Sequence, residues 1–263
     1  MSIPIALVDA FTDKPFSGNP AGICMLEQAM PDEWMQCLAM EMNHSETAFL
    51  VREADRYRLR WFTPAVEVDL CGHATLAAAK YLYAEGLADT SQAILFETRS
   101  GTLSASPENG MIALDFPAIP TSPIQGSSLL GDALGADPVA VHRGRFDYLV
   151  ELRSDEAVRA LTPDLYKLKQ IEARGVVVTA KGERDGYDFI SRGFFPQSGI
   201  DEDPVTGSAH CMLAPYWSER LGKTTLTGYQ ASKRGGYVGV ELIGDRVKLI
   251  GDAFIVFKGT LNV

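Results

Sequence analysis

The spacing of apolar and polar residues changes several times along the chain, and each change marks an element. Residues 3–10 are almost continuously apolar and read as a strand, followed by a loop rich in turn formers over 12–20. Pro31 opens a helix, with Asp32 and Glu33 in its first turn and Trp34, Leu38 and Met42 along one face. Residues 47–51 and 57–62 read as strands. In the second, Arg56, Arg58 and Arg60 alternate with Tyr57, Leu59 and Trp61. Residues 72–84 are rich in Ala and Leu with almost no polar interruption, and Gly86 follows. That pattern predicts a helix buried on all sides. Asn109-Gly110, between two apolar runs, predicts a hairpin turn.

Residues 117–126 hold Pro117, Pro120, Pro123, Thr121, Ser122 and Gly126, the composition of a linker. Beyond it the pattern predicts a short helix, strands near 139–143 and 146–152, and helices near 154–161 and 163–171. Strands follow over 176–180 and 187–194. Residues 206–221 form a second small-residue helix, which Pro215 is able to kink. From 224 onward the chain reads mostly as strands punctuated by glycines, including Gly244-Asp245. The fold class expected is α+β.

The two halves resemble each other. Arg60-Trp61-Phe62-Thr63-Pro64 and Arg192-Gly193-Phe194-Phe195-Pro196 share Arg-x-Phe-x-Pro, 132 residues apart. An acidic loop and a helix opening follow each. Gly72-His73-Ala74, Ala79 and Tyr81 match Gly207-Ser208-Ala209, Ala214 and Tyr216, 135 residues apart. Both offsets are close to half of 263 residues. Two pseudo-symmetric domains are therefore expected, 1–117 completed by about 256–263, and 118–255. Their buried helices would begin at one shared cleft.

Composition narrows the partners. With 46% hydrophobic and 22% charged residues the chain is an ordinary globular one. Its length buries about 75% of the surface of the unfolded chain, so no disulfide or metal staple is needed. Lys+Arg is 24 against 34 for Asp+Glu, a net charge of −10 with no basic run, which argues against nucleic acid as a partner. No apolar stretch is long enough to span a membrane. Met1-Ser2-Ile3-Pro4 has neither the basic nor the apolar segment of a signal peptide. Cys24, Cys37, Cys71 and Cys211 lack paired spacing and read as reduced thiols of a cytoplasmic protein.

Candidate chemistry gathers at the two helix openings. A helix N-terminus presents N–H groups and a positive dipole end, and a glycine there lets a ligand approach the backbone. Two such openings facing each other would clamp an anion, most simply a carboxylate, through the amides of 72–75 and 207–210. His73, Asp203, Ser208 and Glu46 stand beside them. Each also has a plain structural role open to it: a satisfied core histidine, a solvated capping acid, a helix-start hydroxyl, a surface turn acid. A zinc site is not expected. There is no His-Glu-x-x-His or Cys-x-x-Cys, and Cys71 with His73 has no matching ligand set. Gly235-Gly236-x-x-Gly239 lies among late strands and is no dinucleotide or phosphate loop.

Four motifs, in order over about the first 210 residues, resemble the PhzF-like isomerase family of phenazine biosynthesis. They are Val8-Asp9-Ala10-Phe11-Thr12 with Gly18-Asn19-Pro20-Ala21-Gly22, then Ser45-Glu46-Thr47-Ala48-Phe49, then Phe62-Thr63-Pro64 with Asp69-Leu70-Cys71-Gly72-His73-Ala74-Thr75, then Asp201-Glu202-Asp203-Pro204-Val205-Thr206-Gly207-Ser208-Ala209. The resemblance implies the diaminopimelate-epimerase fold, two similar domains each with a sheet curled around a central helix. It implies a cofactor-free isomerase, commonly a homodimer, that moves a proton on a small carboxylate substrate. Glu46 would be the general acid/base. Ser45, Gly72, His73, Asp203, Gly207 and Ser208 would bind substrate. A solvated Glu ionises at about 4.3, so such a residue has to be tuned upward by its surroundings to serve near neutrality.

One departure bears on mechanism. Epimerase relatives carry Cys-Gly at both helix openings, whereas here the first is Cys71-Gly72 and the second Thr206-Gly207. A symmetric two-thiol racemase is disfavoured. The alternatives are an epimerase or racemase using Cys71 alone as proton carrier, or a non-catalytic member that keeps a small-molecule site.

Overall fold

The computed structural model describes residues 2–125 and 128–262, of which the chain forms two compact units. The first comprises Met1–Asp115 and Ile250–Val263, the second Phe116–Leu249.

In the first unit, β1 (Ser2–Ala10) pairs antiparallel with β2 (Asn19–Leu26). After α1 (Asp32–Met42), β3 (Glu46–Glu53) returns parallel to β2 and turns into the antiparallel β4 (Arg56–Phe62). Next come β5 (Glu67–Val68) and α2 (Gly72–Ala84). β6 (Ile94–Thr98) joins β4 in parallel, and β7 (Gly101–Glu108) and β8 (Met111–Pro117) follow as hairpins. Asn109 and Gly110 have φ of 50° and 82°, so the expected tight turn forms where two left-handed residues are required. Helix α2 packs on β1, β2, β3 and β7, and His73 through Ala79 are all buried. Small side chains let the surrounding strands approach this helix from every side, as its pattern predicts.

The second unit begins with β9 (Ser122–Pro123), α3 (Ser128–Leu134), β10 (Ala140–Arg143) and β11 (Asp147–Glu151). Two short helices, α4 (Asp155–Ala160) and α5 (Leu165–Leu168), precede β12 (Gly175–Lys181) and β13 (Phe189–Phe195). β14 (Ile200–Asp203) leads into α6 (Gly207–Leu221), and β15 (Thr225–Gln230), β16 (Gly236–Ile243) and β17 (Arg246–Gly251) complete the order. The chain then re-enters the first unit as β18 (Ala253–Asn262), antiparallel to β1.

The pairing order repeats. Antiparallel β1–β2, parallel β2–β3, antiparallel β3–β4 and β4–β5, parallel β4–β6 and antiparallel β6–β7 recur as β10–β11, β11–β12, β12–β13, β13–β14, β13–β15 and β15–β16. Phe62 pairs with Thr47, and its repeat counterpart Phe194 pairs with Val176, so Glu46 corresponds to Gly175 and Ser45 to Arg174.

Three sequence expectations need correction. Residues 117–125 are not a free linker: β8 runs through Pro117, β9 lies inside the segment, and the amides of Ala118 and Ile119 donate to the carbonyls of Asp245 and Cys211 at 2.8 and 3.0 Å. Gly126 lies outside the described residues. The Cys211 carbonyl is available because Pro215, four residues on, has no N–H; α6 continues through that proline. The return to the first unit comes at Ile250 instead of 256, because β18 pairs with β1 from Ala253 onward. Helix α5 is a single turn instead of 163–171: Gln197 Nε2 donates to the carbonyls of Leu168 and Ile171 at 2.7 and 2.8 Å, meeting acceptors that a longer helix would have used. On α1 the expected face packs inward: Trp34 and Leu38 lie half-buried against the core, beside the fully buried Met35 and Ala39.

Candidate functional site

Three side chains meet where α2 begins. Glu46 is the first residue of β3, held opposite Ala21 of the parallel neighbour β2. Cys71 is the N-cap of α2 in an extended conformation, and His73 is the second helical residue. His73 Nε2 lies 3.2 Å from Glu46 Oε2, and His73 Nδ1 lies 3.5 Å from Cys71 Sγ. The ring therefore stands between a carboxylate and a thiol. The nitrogen–oxygen contact is close in distance but not aligned as a hydrogen bond. The His73 side chain is 7% exposed and that of Glu46 14%.

Two influences on His73 oppose each other. Burial disfavours the imidazolium, and a neighbouring carboxylate favours it. Burial wins, and the ring is pushed down to about 3, so it is neutral across the physiological range. A neutral ring has one N–H and one lone pair, which suits a position between two unlike partners. The turn beneath them is locked by Thr75, whose hydroxyl donates to the Cys71 carbonyl at 2.6 Å. Ser45 takes no part in this trio; its hydroxyl donates to the buried Asn19 at 3.4 Å. Gly72 is the first helical residue, and the Cys71 side chain makes no capping hydrogen bond to the turn it opens.

The start of α6 has the same backbone design and different chemistry. Thr206 is an extended N-cap, and it too makes no capping hydrogen bond. Its hydroxyl is diverted, donating to Asp203 Oδ2 at 2.5 Å and accepting from Gln230 Nε2 at 3.1 Å. Gln230 also donates to the Asp203 carbonyl at 2.7 Å and accepts from the Thr206 amide at 2.8 Å. Asp203 and Thr206, the residue before the buried Gly207, are thus fixed by one network. Ser208, the counterpart of His73, belongs to another, accepting from Arg174 Nη2 at 3.0 Å. Arg174 grips the nearly buried Asp147 in a bidentate ion pair, with Nε 2.9 Å from Oδ1 and Nη2 on Oδ2. With its oxygen accepting from a cation, the Ser208 hydroxyl proton is directed elsewhere. His210, the counterpart of Thr75, puts Nδ1 2.8 Å from the Thr206 carbonyl. Burial pushes His210 down to about 4, so it is also neutral and its Nδ1 carries the donated proton.

Both openings are braced by one matching salt bridge. Arg60 is bidentate to Glu67 at 2.7 and 2.6 Å, and Arg192 to Glu202 at 2.7 and 3.0 Å. Each glutamate lies five residues before its helix-opening glycine. Bidentate arginine pairs add geometric constraint as well as attraction.

The structure brings together Glu46, His73 and Cys71, and it places Asp203, Gly207 and Ser208 at the α6 opening. Arg174, Asp147, Gln230 and His210 were not found from sequence. Arg174 and Asp147 are 27 residues apart on neighbouring strands, and no local spacing reveals such a pair. Among the described residues, the group able to offer a metal three ligands is Glu46, Cys71 and His73, with one donor atom from each all within 4.8 Å of one another. The sequence reading found no ligand set around Cys71 and His73 because the third donor comes from β3. No helix among the described residues is long and apolar enough to cross a membrane.

Comparison with known proteins places these features. The family described as phenazine biosynthesis-like protein, PhzC-PhzF, matches residues 8–259. The chain is 51% identical to an uncharacterized isomerase of Halalkalibacterium halodurans, over 99% of each chain. Among solved structures it is similar to a phenazine biosynthesis protein of the PhzF family from Enterococcus faecalis, with a TM-score of 0.95 and 43% identity over 100% of each chain. A predicted epimerase of Pseudomonas aeruginosa aligns over 99% of each chain with a TM-score of 0.79 and 20% identity, a likeness of fold alone.

Proposed function

Because the chain belongs to the phenazine biosynthesis-like PhzC-PhzF family, we propose that it is a cofactor-independent isomerase that moves a proton on a small carboxylate substrate, with Glu46 as general acid/base. The observation that carries this reading is the Glu46 carboxylate set 3.2 Å from a buried, neutral imidazole. A protonated His73 would neutralise Glu46 and reduce its basicity; a neutral one leaves the carboxylate its charge. The carboxylate takes a proton as a C–H bond breaks, and the electron pair delocalises into the conjugated carboxylate. The resulting carboxyl group then returns the proton to another carbon of the same system. General acid–base catalysis by a positioned group contributes about 10²–10⁴ in rate.

Substrate contact is assigned by family likeness to Ser45, Gly72, His73, Asp203, Gly207 and Ser208, and the protein is read as a homodimer. Support for the first group is the turn at α2, whose N-cap leaves the helix-start amides without a side-chain cap. Support for Ser208 is its hydroxyl, which Arg174 leaves free to donate.

A second reading makes Cys71 the proton carrier, favoured by its sulfur 3.5 Å from His73 Nδ1. The corresponding position before α6 is a threonine bound to Asp203, so any thiol chemistry would be one-sided. One experiment separates the readings. Small carboxylic acids are screened by NMR in deuterated water for exchange of carbon-bound hydrogen, using wild type, Glu46→Gln and Cys71→Ser. Exchange lost in Glu46→Gln and kept in Cys71→Ser supports the first reading. Exchange kept in a folded Glu46→Gln protein overturns it.

A further inference from the structure

We propose that Glu46, Cys71 and His73 together form a binding site for one soft divalent cation of the zinc or cadmium class. The donor set is a carboxylate, a thiol and an imidazole, the three ligand types that such ions take from proteins. The three atoms already lie within 4.8 Å of one another on the start of β3 and the first turn of α2. The 3.5 Å between Cys71 Sγ and His73 Nδ1 matches the separation of a sulfur and a nitrogen on one tetrahedral zinc, given bonds of about 2.3 and 2.0 Å. Glu46 now faces the other ring nitrogen, 3.2 Å from Nε2, so completing the shell requires its side chain to rotate toward the sulfur.

Charge favours occupancy. A carboxylate, a thiolate and a neutral imidazole sum to −2, which the ion cancels inside a mostly buried site. Cys71 must lose its proton to solvent as the metal–sulfur bond forms. Three protein ligands leave a fourth position open for water or a carboxylate ligand. The proposal is independent of the isomerase reading except in one consequence, which rests on it: an ion held by Glu46 takes the oxygen that would accept the substrate proton, and turnover stops.

Cadmium is the probe, because its bond to a thiolate has a near-ultraviolet charge-transfer band that needs no turnover to detect. Cys37 is the exposed thiol, so the titration uses the Cys37→Ser protein, changed on α1 away from the trio. The expected result is a band that saturates at one cadmium per chain. It is absent in the further variant Cys71→Ser, and the affinity falls at least about tenfold in Glu46→Gln. An unchanged band in Cys71→Ser, or an unchanged affinity in Glu46→Gln, overturns the site. X-ray absorption of the zinc-loaded Cys37→Ser protein needs no change within the trio. One sulfur with nitrogen and oxygen neighbours supports the proposal, and a shell with no sulfur or with several overturns it. Failure of proton exchange in the carboxylate screen leaves these results untouched, so the two proposals fail separately.

Discussion

The starts of α2 and α6 are built on the same backbone and carry opposite chemistry. Each follows a short strand and an Arg–Glu brace, begins at an extended N-cap, and opens on glycine. At α2 the positions are filled by Cys71, His73 and Glu46. At α6 the counterparts are Thr206, Ser208 and Gly175, and Arg174 replaces Ser45. The first opening therefore holds a carboxylate beside a neutral base. The second holds a cation that is spent on the buried Asp147 and orients a hydroxyl. The repeated backbone thus holds a group of ionisable side chains in one unit and a fixed hydrogen-bond network in the other. Thr206 stands where α2 has Cys71, and its hydroxyl is absorbed by Asp203 and Gln230.

The largest effect expected from breaking this contrast is on rate. Glu46→Gln should lower turnover at least about 100-fold on any substrate found, with little change in melting temperature, because Gln keeps the shape and removes only the ionisation. A comparable loss of rate in Ser208→Ala would erase the functional difference between the openings. Next is stability. Arg174→Met leaves Asp147, with a side chain 4% exposed, as an unpaired buried charge, which should cost about 2–3 kcal/mol in denaturant unfolding. Arg174 is itself 38% exposed, which keeps the figure below that of a fully buried pair. A loss under about 0.5 kcal/mol would show that solvent stabilises Asp147 directly.

Gly175 provides a sharper test of why the position matching Glu46 holds no acid in the second unit. A Cβ there would meet Phe195 ring carbons at 2.2 and 2.6 Å and the Phe194 carbonyl oxygen at 2.7 Å. Gly175→Ala should cost about 1–3 kcal/mol by overpacking, measured by thermal or denaturant unfolding. A neutral outcome would mean that the site tolerates a side chain and that the glycine reflects something else.

The remaining effect is on pH dependence. His73 and His210 fall from 6.5 in the unfolded chain to about 3 and about 4 in the fold. The unfolded chain thus binds protons below about 6.5 that the native state refuses. Their contribution to stability is complete above that pH and is lost as pH falls, levelling near 4 for His210 and near 3 for His73. Unfolding free energy should decline between pH 6.5 and 4, and His73→Asn and His210→Asn should each flatten the slope. An unchanged slope in both variants would place the acid sensitivity in the carboxylates.

Much of this architecture is written in local sequence. The helix over 72–84 is legible because thirteen nearly uninterrupted small and apolar residues predict a helix enclosed by other elements, as His73 through Ala79 are. The Asn109-Gly110 turn is legible because few other pairs adopt two left-handed conformations. The repeat shows in Arg-x-Phe-x-Pro because the arginine and phenylalanine face the same brace and core in both units. Candidate residues next to the helix openings could be named for the same reason: their place is set by the nearest glycine.

What tertiary structure decided is every partnership between distant strands. Asp147 with Arg174, Gln230 with Thr206, and Glu46 with His73 join residues separated by 24 to 27 positions, and only strand register brings them together. Register also decided that residues 117–125 are pinned instead of free, through amides that reach carbonyls more than ninety residues away. Sequence determines which groups are present and how each short segment curls, because those depend on a residue and its near neighbours. Which carboxylate meets a neutral imidazole and which arginine meets a buried aspartate depend on burial and long-range pairing, so only the folded chain settles them.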